Sequence, residues 1–475
     1  MIELKNVSYT YPHTAHPALD RISLTLPKGR CIMVTGPSGA GKTSLCLAAS
    51  GILHHEFGGK KEGTVSIGGR GVAEYKSLSD LARNVGVVFD DPEAQMIFTT
   101  VEEEILSALE HRGLSADVIE ERLAGIIRIA YLDELKDRSP HNLSGGQKQR
   151  VALAATLALG NDILILDEPT SELDDHATKR IATILADLKA QGKTLLLVEH
   201  KYGYFRDMVD TLVVMENGTI TASGVPDEVL KDSRLRGMIL PDFSTVAKAA
   251  PVKSDAAPVV TVSHLSYSYG DVEALHDLIL TIRKGEFVAV VGENGSGKTT
   301  LVKHFNRLLS PTSGDVVVNG KNTKNCSIAE LARDVGLVFQ NPDHMFFADS
   351  VRDEIAFGLK NLGIENGSTA IDAALSEAGL SGSADLYPRW LSRGERQRLA
   401  IACVVAMQPG VIVLDEPTTG LDGYEARLVI DMLRRLQEKG HTIIVITHNR
   451  EIATHCADRV ITMENGRIVA DTRGA

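Results

Sequence analysis

Gly292-Glu293-Asn294-Gly295-Ser296-Gly297-Lys298-Thr299-Thr300 is the stretch that decides the fold. It follows the apolar run Phe287–Val291 and precedes a segment in which Leu301, Val302 and Phe305 suit the buried side of a helix. Strand, glycine-rich loop and helix in that order are the setting in which G-x-x-x-x-G-K-T cradles phosphate. Gly292, Gly295 and Gly297 let the backbone curl until several N–H groups converge, and the helix N-terminus adds to the same positive field. Lys298 would neutralise the outer phosphates of a nucleotide and Thr299 would offer its hydroxyl to Mg²⁺, with Asn294 and Thr300 in the same cradle. A second copy, Gly36-Pro37-Ser38-Gly39-Ala40-Gly41-Lys42-Thr43-Ser44, follows the apolar run Cys31–Thr35. There Gly36, Ser38, Gly39, Gly41, Lys42 and Ser44 take the corresponding places, and Thr43 is the Mg²⁺ hydroxyl.

Later motifs recur in the same order in both halves, so the chain reads as one domain duplicated. The boundaries expected are residues 1–240 for the first copy, 241–258 for a linker and 259–475 for the second. The linker, PDFSTVAKAAPVKSDAAP, is rich in Ala, Pro and Ser without periodicity and reads as a mobile tether. Alternating runs such as Ile22-Ser23-Leu24-Thr25-Leu26 and Val316-Val317-Val318 suit antiparallel strands at the start of each copy. Segments 101–143 and 351–391 read mainly as helices and interrupt the α/β pattern as a helical subdomain, for example the Val118, Leu123, Ile126, Ile127 stripe.

That subdomain ends in LSGGQKQR, 143–150, and LSRGERQR, 391–398. Ser144 with Gln147, and Ser392 with Glu395, have capping-box spacing ahead of a helix. Capping alone does not require Gly145, Gly146 and Gly394, which expose the N–H groups of a helix start as a phosphate site does. One helix later come ILILDEPTSELD, 163–174, and VIVLDEPTTGLD, 411–422. Four apolar residues and then two acids describe a buried parallel strand with carboxylates at its ligand-binding end. Asp167 and Asp415 would hold Mg²⁺, and Glu168 and Glu416 would orient or deprotonate an attacking water. A further apolar strand in each copy leads to His200 and His448, placed to contact the terminal phosphate or that water.

The formal charge of −12, with no basic tail or arginine stripe, argues against a nucleic-acid partner. Five cysteines without C-x-x-C spacing read as buried thiols of a reducing compartment. No apolar run approaches the ~20 residues that span a bilayer, and the first residues lack a signal-peptide core.

With these motifs in place the chain resembles the ATP-binding subunits of ABC proteins over both copies. The resemblance implies a duplicated α/β P-loop NTPase fold of the ABC ATPase type, each copy with an antiparallel β subdomain and a helical subdomain. It makes Tyr11 and Tyr269 the adenine-stacking aromatics, and Gln340 the loop residue that links Mg²⁺, water and a membrane partner. Two ATP molecules are expected head to tail, the phosphate loop of one copy facing the signature of the other, at the cytoplasmic face of a membrane. VFQNPDHMFFADSVRDEIAFG, 338–358, is similar to the ATPases of energy-coupling-factor importers of vitamins, vitamin precursors or transition metals, with DDPEAQMIFTTVEEEI, 90–105, a close variant. The partners implied are an integral membrane scaffold protein and a small substrate-binding membrane subunit. Competing readings are the ATPase of a sugar-type importer and a soluble tandem ABC protein acting on ribosomes. The latter typically has a long charged helical linker, unlike the short neutral one here. A DNA-repair ABC protein would carry zinc-type cysteine clusters. Two departures from the family pattern, Asp90 opposite Gln340 and Arg393 at the first signature glycine, both fall on the site built on Lys42. They predict a dominant site built on Lys298.

Overall fold

The computed structural model describes every residue except 13, 15, 111–113, 172, 247–255, 365–366 and 474–475. The chain divides into two compact units, Met1–Pro241 with Asp422–Tyr424, and Asp242–Leu421 with Glu425–Ala475.

Among its described residues the first unit has ten strands: β1 Ile2–Thr10, β2 Leu19–Leu26, β3 Cys31–Thr35, β4 Lys60–Ile67, β5 Arg70–Gly71, β6 Val85–Val88, β7 Ile163–Asp167, β8 Thr194–Val198, β9 Thr211–Glu216 and β10 Thr219–Gly224. They form an antiparallel sheet ordered β2-β1-β4-β5 and a six-stranded sheet ordered β10-β9-β3-β8-β7-β6. The larger sheet is parallel except at its β10 edge. β3, β7 and β8 are buried at every residue, as strands covered on both faces must be. Alternation along β3 then divides the core. Ile32 and Val34 face the antiparallel sheet and helix α1, Lys42–Ala49, whereas Cys31 and Met33 face α5, Asp175–Ala190. Between β6 and β7 the chain makes α2 Val101–Glu110, α3 Ala116–Ile129 and α4 Gly145–Ala158. Their stripes, Val101, Ile105 and Leu109 on α2 with Leu123 and Ile127 on α3, meet Val151, Ala154 and Ala158 of α4 in a separate core.

The second unit repeats this plan. β11 Pro258–Tyr269, β12 Val272–Arg283, β14 Ser313–Val318 and β15 Lys321–Asn322 form the antiparallel sheet. β13 Phe287–Val291, β16 Val335–Val338, β17 Val411–Asp415, β18 Thr442–Ile446, β19 Arg459–Glu464 and β20 Arg467–Arg473 form the larger sheet, ordered β16-β17-β18-β13-β19-β20. Its helices include α6 Lys298–Lys303, α7 Val351–Asn361, α8 Ser368–Ala378, α9 Arg393–Ala406 and α10 Gly423–Glu438. Of the segment expected as a tether, Phe243–Thr245 forms a 3-10 turn whose Phe243, with Val246, joins the core of this unit. Arg427 of α10 donates to the Asp242 carbonyl and the Thr245 hydroxyl at the same place. Residues 247–255 of that segment lie outside those described.

Candidate functional site

In a parallel sheet the loops at the carboxyl edge converge, and here they carry the motif residues of the first unit: the glycine-rich loop after β3, Asp90 after β6, Glu168 after β7 and His200 after β8. Gly36 has φ +146°, and a Cβ there would collide with the carbonyl of Met215, so only glycine lets the loop leave β3 beside β9. Lys42 opens α1, is 5% exposed, and donates to the carbonyls of Gly36 and Pro37, each at 2.9 Å. Burial lowers its pKa, and Glu168, 4.0 Å away, opposes that shift.

Asp167 ends β7 and is 1% exposed, with neither carboxylate oxygen hydrogen-bonded by ordinary geometry. Burial pushes its pKa up to about 7, the Thr43 hydroxyl opposing and Glu168 and Asp90 adding to it. A buried acid whose one polar neighbour of note is a threonine hydroxyl fits a hard divalent cation such as Mg²⁺, which oxygen ligands hold. Glu168 has φ +46°, a left-handed backbone uncommon for a branched-out side chain, and such strain is typical of functional turns. Its Oε1 lies 3.1 Å from Nε2 of His200. Asp90 is exposed, yet the protein atoms around its carboxyl raise its pKa and Glu168 adds to the shift.

The second unit builds the same constellation with tighter local bonds. Lys298 donates to the carbonyls of Gly292 and Glu293, each at 2.8 Å. The Thr299 hydroxyl donates to Asp415 at 2.7 Å, and burial raises the Asp415 pKa against that bond. Glu416 has φ +49°, and its Oε2 lies 2.9 Å from Nδ1 of His448 and 3.3 Å from the Thr419 hydroxyl. The two histidines therefore present opposite ring nitrogens to their glutamates. Gln340 is exposed on the bend after β16. Tyr11 and Tyr269 stand beside the phosphate-loop helices: their hydroxyls lie 3.2 Å from Ser44 and 3.4 Å from Thr300, and their rings meet Tyr9 and Tyr267 edge-on. Tyr269 is 49% exposed, so a face remains for stacking.

Ser144 and Ser392 cap α4 and α9 as their spacing predicts. The Ser144 N–H donates to Gln147, and Ser392 exchanges bonds with Glu395 in both directions. Among the described residues neither cap hydrogen-bonds to the phosphate loop of its own unit. Gly145 has open space around it, whereas a side chain at Gly146 would crowd Ala177 and one at Gly394 would collide with Glu425. Arg393 folds its guanidinium over Gly420 of the same unit, where a Cβ would strike it.

Three positioning acids escaped the reading of the sequence. Glu199 is 1% exposed and accepts from the N–H groups of His200 and Lys201 and from the Thr170 hydroxyl. Its signal was an acid inside the apolar run LLLVEH. Glu104 of α2 accepts from the N–H groups of Ile97 and Phe98, and Glu354 of α7 from those of Phe347 and Ala348. Each fixes a loop that holds apolar side chains out in solvent: Ile97 is 82% and Phe347 63% exposed.

The ABC transporter family matches residues 19–171 and 275–419, spans that include both phosphate loops and both Asp-Glu pairs. The chain belongs to the ABC transporter family. A Methanosarcina mazei protein named "Putative ABC transporter ATP-binding protein" is 49% identical over 478 residues, covering 99% of this chain and 95% of that one. Among solved structures, cbiO1 from Clostridium perfringens, titled part of the ABC transporter complex cbiONQ, is 35% identical over 46% of this chain and 88% of its own, with a TM-score of 0.43. A structure titled as a complex of archaeal ribosomal stalk protein aP1 and ribosome recycling factor aABCE1 gives a TM-score of 0.66 at 22% identity over 98% of this chain and 90% of that one, a likeness of fold. The chain is thus a tandem ABC ATPase.

Proposed function

We propose that this ABC ATPase hydrolyses ATP to energise a membrane importer of a vitamin, a vitamin precursor or a transition metal ion, from the cytoplasmic face of the membrane. The observation that carries the reading is the pair of clamped apolar loops beside two ATPase sites. Glu354 pins the backbone under Phe347, whose ring stacks edge-on with exposed Phe357 at 4.4 Å. Glu104 does the same under Ile97 and Phe98. Keeping large apolar side chains in water costs free energy that a docked apolar partner returns. No helix among the described residues is long and apolar enough to cross a membrane, so a spanning path would come from that partner, an integral scaffold with a small substrate-binding subunit. The similarity of 338–358 to energy-coupling-factor ATPases supports the vitamin or metal class.

The residues divide the work by chemistry. Lys42 and Lys298 bind the outer phosphates, and Tyr11 and Tyr269 stack on adenine. Thr43 with Asp167, and Thr299 with Asp415 and Gln340, would hold Mg²⁺, which when bound neutralises phosphate charge. Glu168 and Glu416 take a proton from the attacking water, and His200 and His448 orient those carboxylates. The second unit, with Gln340 in place of Asp90, carries most of the turnover. Tagged protein purified from native membranes in detergent is expected to bring down a multi-span scaffold and a small membrane subunit. Recovery of ribosomes without an integral membrane protein would overturn the proposal.

A further inference from the structure

The first unit has a half-open cavity of about 290 Å³ against its antiparallel sheet, walled by Val7, Tyr9, Ala48, Leu53, Val65 and Val72. The second unit explains why the space exists. Aligned through the phosphate loops, the first strands and the β4 and β14 strands, Tyr267 corresponds to Tyr9, His304 to Ala48 and Lys324 to Ala73. His304 is fully buried, its ring 4.9 Å from that of Tyr267 and its Nδ1 2.7 Å from the Thr300 carbonyl. It fills the volume that Ala48 leaves beside Tyr9. Lys324 reaches across the sheet edge to the Gly314 carbonyl at 2.6 Å and to Asp315 at 3.3 Å. Ala73 is too short to bridge to the matching Gly63 and Thr64, which line the first unit's cavity. Two truncations to alanine, one at the floor and one at the mouth, thus open in one copy what the other copy fills and straps.

We propose that this cavity is a binding site for a small, uncharged, ring-bearing molecule. The walls are aliphatic and aromatic, and the charged side chains stand at the rim. Lys61 donates to the His54 carbonyl at 2.9 Å, Glu62 pairs with Lys60 at 2.8 Å, and Glu74 accepts from the Gly71 N–H at 3.3 Å. An ionic ligand would give up hydration against these apolar walls, which favours an uncharged occupant. The His54 imidazole stands at the rim; burial, His55 and Lys61 lower its pKa, so it meets an occupant as a neutral ring able to exchange one hydrogen bond. A dry cavity of ~150 Å³ is enough for benzene, so this one accommodates a fused bicycle. An occupant would press on Tyr9, whose ring meets Tyr11 edge-on at 4.7 Å.

The test uses indole, a neutral bicycle with one N–H, titrated against the full chain and followed by saturation-transfer NMR. Wild type is expected to bind with millimolar or tighter affinity. Ala48→His, which restores the second copy's filling, and Ala73→Lys, which restores its strap, should each weaken binding at least tenfold, with circular dichroism verifying the fold. Should Ala48→His fail to fold, Ala73→Lys decides alone. Absence of indole binding to wild type, or equal binding by every folded variant, would overturn the proposal.

Discussion

Replacing Asp167 by Asn should make the metal-free, nucleotide-free chain more stable than wild type by an amount that grows with pH. Asp167 is buried without an ordinary hydrogen bond, and its pKa rises from 3.8 to about 7. A raised carboxyl pKa means that the folded state holds its proton more tightly than the unfolded chain. Wild-type stability from this group is therefore fully present below about pH 4 and is lost as pH climbs to about 7. Three pKa units correspond to about 4 kcal/mol, of which about 2 kcal/mol falls between pH 5 and pH 7 and about 3 kcal/mol by pH 8. Asparagine keeps the shape and cannot ionise. Its own constant cost, an amide with unmet bonds, is of order 1–3 kcal/mol and does not vary with pH. Urea unfolding in EDTA, followed by circular dichroism at pH 5, 6, 7 and 8, isolates the effect as the difference between variant and wild type. That difference should rise by about 3 kcal/mol and then level off. A difference that stays flat across the series would refute the assignment of Asp167 as a buried, uncompensated acid.

Glu416→Gln should abolish nearly all steady-state ATP hydrolysis by the assembled transporter, whereas Glu168→Gln leaves a substantial part. Removal of such a group typically costs ~10²-fold or more, and equal losses in a phosphate-release assay would contradict the asymmetry. Tyr269→Ala should weaken ATP binding several-fold, about 1 kcal/mol of stacking, with unchanged melting; an unaltered titration would return the ring to a packing role. Glu354→Ala should leave ATP binding intact and free the N–H groups of Phe347 and Ala348. Recovery of the membrane partner in a pull-down should then fall several-fold, and full recovery would disprove the clamp.

How much of this was legible in the sequence depends on how far apart the participants lie in the chain. The phosphate loops, the Asp-Glu strands and the capping boxes are local: spacing and residue type prescribe a strand, a positive-φ turn or a helix start, and the structure has each in place. Duplication was equally plain, because the same motifs return in the same order. The clamps were not. Glu104 and Glu354 read as ordinary acids in a helical first turn, and only folding brings them to the backbone of an apolar loop. Arg393 stood out in the sequence only as a departure at the signature glycine, whereas packing sends its guanidinium across Gly420, a residue remote in sequence.

The sequence by itself determined the nucleotide chemistry, since that rests on short runs whose backbone geometry their own glycines and acids dictate. Tertiary structure alone decided the environment of those groups: which carboxylate is buried, which nitrogen of each histidine meets its glutamate, and where a volume is left unfilled. The difference between His304 and Ala48 is one letter in a helix, and it becomes a cavity only when Tyr9 of a separate sheet stands opposite. Desolvation and packing depend on neighbours from every element at once, so no local pattern could have carried them.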